Sequence, residues 1–333
     1  MRIQVIGNSP VNARLLKVNV GKKQFATPTY FPAISKKEIR DPGDVFAELV
    51  ISSGYPRLLV SSYDYGRLGS PSSRRMVGRI SDFYRKGSIV LLDSGVFEAY
   101  WRENKRWTFA RYQESVKNLD SDLYFSFDVL PSGKTDASSF LGLMMESLRK
   151  SRSLTDRSQC IPIVHARSQS LLVKFASRII KASASEPASL GVSEKELGTS
   201  LTDRGRTVMK LRKLLGGKKG GLLHILGCGD PVSMAVYVCA GADSFDSLDW
   251  AISACDPHEE KLIDLSHFEL LKCKCEVCEK GGIDVQSRVF LHNLLFYQNY
   301  SMKLQDMIKR GTLKDYLYAR TSKDLVRRIV QAD

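Results

Sequence analysis

The sequence predicts an α/β fold, a (β/α)8 barrel of the TIM type, with a small N-terminal antiparallel cap and a zinc-binding segment after the last strand. Three observations point to it. Eight short apolar, β-rich segments recur along the 333 residues, roughly 20 to 40 positions apart. Helix-patterned amphipathic stretches lie between several of them, the alternation expected of parallel strands joined by crossover helices. Eight such units in a chain of this length suit a closed barrel better than an open sheet.

Residues 1–26 alternate apolar and polar and contain "NVGKKQ", a hairpin-like turn, so they are expected to form an antiparallel cap. The barrel domain then spans 27–333. Its strands are expected in "TPTYFPAI" (27–34), "PRLLVSS" (56–62), "SIVLLDSG" (88–95), "DLYFSFD" (122–128), "CIPIVHA" (160–166), "PASLGV" (187–192), "GLLHILG" (221–227) and "ADSFDSL" (242–248). Helices are expected at 139–151, 170–183 and 231–242, and a longer helical pattern begins at Val285.

Composition narrows the function classes. The 43% hydrophobic content is that of an ordinary globular protein, and no run of about 18 apolar residues suggests a membrane span. The N-terminus lacks the charged and apolar regions of a secretory signal, which points to the cytoplasm. There, clustered cysteines are more often metal ligands than disulfides. Fifty basic against thirty-six acidic residues give a net charge of +14, a suitable electrostatic footprint for a nucleic acid.

A barrel places reactive groups at the C-terminal ends of its strands. Those ends read Asp64, Asp93, Asp128, His165, Gly191, Gly227 with Gly229, and Asp246. Any one aspartate could be a plain helix cap; three that directly follow apolar runs around one mouth suggest chemistry. In "LLDSGVFEAYW" a buried strand delivers Asp93 and Ser94 to the rim, and "GADSFDSLDW" brings Asp243, Asp246 and Asp249. Two carboxylates across a barrel mouth suit displacement at a sugar carbon, one attacking the anomeric centre while the other handles protons. "HILGCGDP" (224–231) is a strand, two glycines and a helix-starting proline, which can bring backbone N–H groups near a phosphate or planar base.

"CKCEVCEK" supplies Cys273, Cys275 and Cys278, and His292 follows in "FLHNLLF". Three thiolates and an imidazole complete a tetrahedral set for Zn2+, with His292 or His267 as the fourth ligand. Four protein ligands leave no open position, so a structural zinc is expected, in a subdomain spanning 267–310.

Taken in order, these segments resemble the tRNA-guanine transglycosylases, the queuine and archaeosine tRNA-ribosyltransferases. "FATPTYFPA" is similar to their opening Thr-Pro-x-Phe-x-Pro segment, and "LLDSGVFE" to their Asp-Ser-Gly-Gly-Phe-Gln motif. "FSFDVLPSG", "HILGCGDP" and "GADSFDS" resemble three further strand-end motifs, and the cysteine cluster with "LHNLLF" resembles their zinc segment. The resemblance implies a base-exchange enzyme that replaces guanine with a 7-deazaguanine through a covalent sugar intermediate. It implies Asp246 as nucleophile, Asp93 as general acid and base, and Asp128 on the base edge. "SLGV" with Gly191 would add backbone contacts, and Cys273, Cys275, Cys278 and His292 would hold zinc. The target base must be flipped from its stack, and the basic excess would grip phosphates. Relatives are commonly homodimers.

The sequence departs from that pattern at several places. Val96 and Glu98 replace a glycine and a glutamine, His165 stands where a base-reading glutamine is expected, and "LDW" (248–250) replaces Pro-Thr-Arg. The cysteine-to-histidine spacing is shorter, and about forty residues after His292 leave no room for added RNA-binding domains. With the aspartates and zinc ligands kept, these changes tip the expected substrate narrowly to DNA, with tRNA and queuosine-type modification close behind. A zinc-stabilised non-catalytic nucleic-acid binder and a base-releasing glycosidase are the other readings.

Overall fold

In the computed structural model the residues described are 1–9, 11–36, 44–66, 69, 71–131, 135–155, 159–182 and 188–330. Strands β1 (Arg2–Asn8), β2 (Arg14–Val20) and β3 (Lys23–Thr27) form an antiparallel sheet, and Gly21 turns the β2–β3 hairpin with φ +57°. A parallel barrel follows. It is made of β4 (Thr29–Ile34), β5 (Arg57–Ser61), β6 (Ile89–Asp93), β7 (Leu123–Phe125), β8 (Gln159–Ile161), β9 (Ile163–Val164), β10 (Leu190–Ser193), β11 (Leu223–Leu226) and β12 (Ser244–Ser247). Each strand pairs with the next except β8 with β9, and β12 returns to β4.

Strands β8 and β9 are one barrel stave broken at Pro162, which has no N–H to give to a ladder. β8 pairs with β7 and β9 with β10, so the stave closes the ring. Its carbonyls remain in use: Ile161 accepts from the Ser126 amide at 2.9 Å, and Pro162 accepts from the Gly191 amide at 2.8 Å. With that stave counted once, the eight expected strands are all present, each within a residue or a few of its expected bounds.

A helix follows each stave. Those expected at 139–151, 170–183 and 231–242 run over Ala137–Arg152, Gln169–Ala182 and Pro231–Ala240. The last is set by its ends: Asp230 accepts from the Ser233 amide at 2.8 Å, Pro231 opens the first turn, and Gly241 stops the helix at φ +112°. Ser183 and Pro187, at the margins of two expected segments, lie outside the described residues. After β12 come a hairpin, β13 (Ser253–Asp256) and β14 (Lys261–Asp264), and the long helix Val285–Arg310, capped by Asp284.

Strand periodicity sorts the side chains. Phe31, Leu59, Leu91, Phe125 and Ile163 form one buried cluster together with Leu16, Val18 and Phe25 of the N-terminal sheet. Their neighbours Tyr30, Val60, Leu92, Tyr124 and Val164 belong to a second, larger cluster with the helices. The first is the barrel interior, with the antiparallel sheet packed against it. The same parity turns Asp93, His224 and Asp246 inward. Among the described residues, no helix is long and apolar enough to cross a membrane.

The N-terminal sheet is also held electrostatically. Arg14 grips both Asp243 carboxylate oxygens at 2.8 Å, and Arg212 reaches Oδ2 at 2.6 Å. Asp243 just precedes β12, at the stability end of the barrel rather than at its mouth. Its place in the sequence motif is therefore structural.

Candidate active site and metal centre

Asp93 is the last residue of β6 and is 9% exposed. Its Oδ2 accepts the Gly95 amide at 3.0 Å, in a turn that Gly95 makes with φ +72° and that abuts the Tyr63 backbone too closely for a side chain. Burial pushes the Asp93 carboxyl well above the usual carboxylate range. The carboxylates of Glu98, Asp128 and Asp246 push the same way, against the single Gly95 amide. Glu98, at the position of the sequence departure, is itself buried and raised, first by burial and then by Asp64. Asp64 lies on the short helix Ser62–Tyr65, where it accepts from the Lys36 amide at 2.7 Å and from Ser35 Oγ at 3.2 Å.

Asp128 and His165 meet beside this group. Asp128 Oδ2 accepts from Ser94 Oγ at 3.0 Å, and its Oδ1 lies 3.4 Å from His165 Nε2. Neither of these two buried atoms has a hydrogen-bond partner among the described residues. The other face of the imidazole is fixed: Nδ1 is 2.8 Å from Glu196 Oε1, while Glu196 Oε2 accepts the Ala166 amide at 2.9 Å. Burial works against a charged ring here, yet the adjoining carboxylates of Asp128 and Glu196 outweigh it and raise the His165 pKa to about 10. The position expected to read a base is thus an imidazolium at neutral pH, next to an open carboxylate oxygen.

Asp246, on β12, is 7% exposed, and its Oδ1 lies 2.8 Å from His224 Nε2. His224 is fully buried on β11 and places Nδ1 2.9 Å from Ser244 Oγ. The Asp246 carbonyl accepts the Cys228 amide at 2.8 Å, which binds the Gly227–Gly229 turn to β12; Gly227 has φ +73°. Gly191 sits on β10, where a side chain would press on the Phe125 ring. The barrel therefore places Asp93, Ser94, Asp128, His165, Gly227, Gly229 and Asp246 at or near the C-terminal ends of their strands, whereas Gly191, expected there too, is the second of the four residues of β10 and lies one level deeper, opposite His224. His224, Ser244 and Glu196 were missed in the sequence. Inward parity along "HILG" and "SFDS" would have found the first two; Glu196 follows β10 in a 3-10 turn and carries no pattern.

The ligand atoms of Cys273, Cys275, Cys278 and His292 all lie within 4.8 Å of one another. His292 Nδ1 is 3.4 Å from the sulfurs of Cys275 and Cys278. Its Nε2 meets the Cys255 carbonyl at 2.8 Å, so Nε2 carries the hydrogen and Nδ1 presents its lone pair to the sulfurs. Asn293 fixes the same helix by accepting from the Cys255 amide at 2.9 Å and donating to the carbonyls of Trp250 and Ser253. The donor set fits a tetrahedral metal ion with no open position. His267, the other sequence candidate, is exposed and outside the group.

The queuine tRNA-ribosyltransferase family profile matches residues 9–324. A tRNA-guanine(15) transglycosylase of Archaeoglobus fulgidus is 23% identical over 286 residues, covering 80% of this chain and 55% of the relative. Those of Methanocaldococcus jannaschii and Korarchaeum cryptofilum are 22% and 23% identical, covering 91% and 95% of this chain and 49% and 56% of theirs. The chain spans about half the length of these curated relatives. Eight relatives match, and each is named for tRNA, as is the family. This overturns the expected DNA substrate. The departures at Val96, Glu98, His165 and 248–250 are real, but a changed site residue says how a base is held and not which polymer carries it.

Proposed function

The chain belongs to the queuine tRNA-ribosyltransferase family, and from that premise we propose that it exchanges a guanine in tRNA for a 7-deazaguanine base. One observation carries the reading: two inward-facing aspartates share the barrel mouth in unlike surroundings. Asp246 has a histidine donor on one oxygen, whereas Asp93 is crowded by carboxylates that favour its protonated form.

In the first half-reaction Asp246 Oδ2 attacks C1′ of the flipped nucleotide. The C1′–N9 bond breaks, its electron pair leaves with the base, and Asp93 delivers a proton to the departing guanine. In the second, Asp93 takes the proton from the incoming base, whose nitrogen attacks C1′, and the Asp246 ester bond breaks. Asp128 and His165 hold the base edge, the carboxylate accepting an N–H and the imidazolium donating to a carbonyl oxygen. Backbone at Gly191, Gly227 and Gly229 lines the slot. Zinc suits the Cys3His set, where it would tie the cysteine loop to the Val285–Arg310 helix. The basic surface suits tRNA phosphates, and a homodimer in the cytoplasm is the assembly proposed.

The test is incorporation of labelled guanine into tRNA. Wild-type protein should label it, and Asp246→Ala should lower the rate by at least about 1000-fold. Release of guanine without incorporation, or exchange that survives the substitution, overturns the reading.

A further inference from the structure

We infer that His224 is a positioning residue, which holds Asp246 for attack and settles which of the two aspartates is nucleophile and which is acid. The inference rests on the transglycosylase reading above.

A fully buried histidine is costly unless both ring nitrogens are partnered, and this one has been given both partners by strand geometry. His224 stands opposite Ser244 in the β11–β12 register. Ser244 and Asp246 are two residues apart on β12 and so share its inner face. One imidazole therefore spans the pair, with Nδ1 2.9 Å from Ser244 Oγ and Nε2 2.8 Å from Asp246 Oδ1. A carboxylate can only accept, so Nε2 carries the hydrogen, and in the neutral ring Nδ1 accepts from the serine hydroxyl. The ring is held on its sides as well, edge-on to Phe125 at 5.0 Å between centroids and tilted against Phe31 at 6.2 Å.

Two consequences follow. Asp246 is tethered through Oδ1, which orients the carboxylate and leaves Oδ2 to form the bond to C1′. Asp246 thus has a fixed N–H donor on one oxygen, whereas burial and then the carboxylates of Glu98, Asp128 and Asp246 raise the Asp93 carboxyl well above its usual range. Without the His224 donor the pair loses the feature that distinguishes its members.

His224→Phe keeps the ring and its aromatic contacts while removing both hydrogen bonds. His224→Gln keeps an amide N–H at about the reach of Nε2. The readout is kcat and KM for guanine exchange into tRNA, with the covalent RNA–protein adduct followed on denaturing gels. The Phe variant should lower kcat and adduct formation about 100-fold with KM within about threefold. The Gln variant should recover about tenfold of that loss, which a merely structural role would not predict. Should the Phe variant fail to fold, Ser244→Ala, which removes only the outer partner, should lower kcat about tenfold at unchanged KM. A kcat within about threefold of wild type in the Phe or Ala variant, or equal loss in Phe and Gln variants that are both folded, overturns the assignment. A wild-type chain that labels no tRNA removes the transglycosylase reading and this inference together; exchange in the wild type that persists in His224→Phe removes the inference alone.

Discussion

The two ends of the barrel handle buried carboxylates in opposite ways, and β12 runs from one to the other. At its N-terminal end Asp243 faces two guanidinium groups and the Leu223 amide, four hydrogen bonds among the described residues. Burial works against its charge, but Arg212 and Arg14 outweigh it and hold the carboxyl below its usual range. Three residues on, Asp246 has one histidine donor. Across the mouth Asp93 has one amide and three neighbouring carboxylates. The difference teaches what each end is for. Charge that is fully satisfied fixes the sheet to the barrel; charge left short of donors is held ready to react.

The comparison is broken most severely at the compensated end. Asp243→Ala leaves two guanidiniums buried without a counter-charge, which should destabilise the fold by about 3–5 kcal/mol. Urea denaturation measures this, and exchange activity per folded molecule should stay near wild type. An unchanged midpoint would show that the ion cluster is incidental. A smaller effect is expected at the Cys3His cluster, where the proposed zinc would tie the cysteine loop to the long helix. Cys278→Ser removes one of four ligands and should weaken zinc binding at least about 100-fold. Mass spectrometry under native conditions reads the metal directly. One zinc per chain, retained in that variant, would sink the ligand assignment.

The fold was largely legible because short continuous apolar runs and their spacing are local signals that a barrel amplifies eightfold. "SIVLLDSG" and "ADSFDSL" announced both a strand and the aspartate at its end. The cysteine cluster was equally plain, since its three sulfurs are neighbours in sequence; its histidine needed the fold to decide between His292 and His267. What escaped was pairing between distant residues. Arg14 and Arg212 lie 229 and 31 residues from Asp243, and nothing local marks them as its partners. Glu196 is 31 residues from His165. Without Glu196, His165 looked like a substitution for a neutral reader; with it, the ring is charged. The broken stave at Pro162 was also hidden, because "CIPIVHA" reads as one strand and it is the closure of the ring that divides it.

The smallest expected effect tests the uncompensated end, and it runs opposite to the first. Asp93 has its pKa raised in the folded chain, chiefly by burial, so its contribution to stability is fully present below the unfolded value of about 3.9. As pH rises past that value, the unfolded carboxyl ionises freely while the folded one keeps its proton. Stability is lost over that interval, until the folded group ionises too. Asp93→Asn keeps the shape and the acceptor for Gly95 but cannot ionise in either state. The variant should lose exchange activity and gain about 1 kcal/mol at pH 7, the usual trade between a reactive site and stability. In a thermal scan that is a rise of about 2 °C, and it should shrink towards zero as the pH is brought down to about 4. A variant less stable than wild type at pH 7, or a gain that is the same at both pH values, would mean that Asp93 is as well compensated as Asp243. The two ends of the barrel would then differ in position alone.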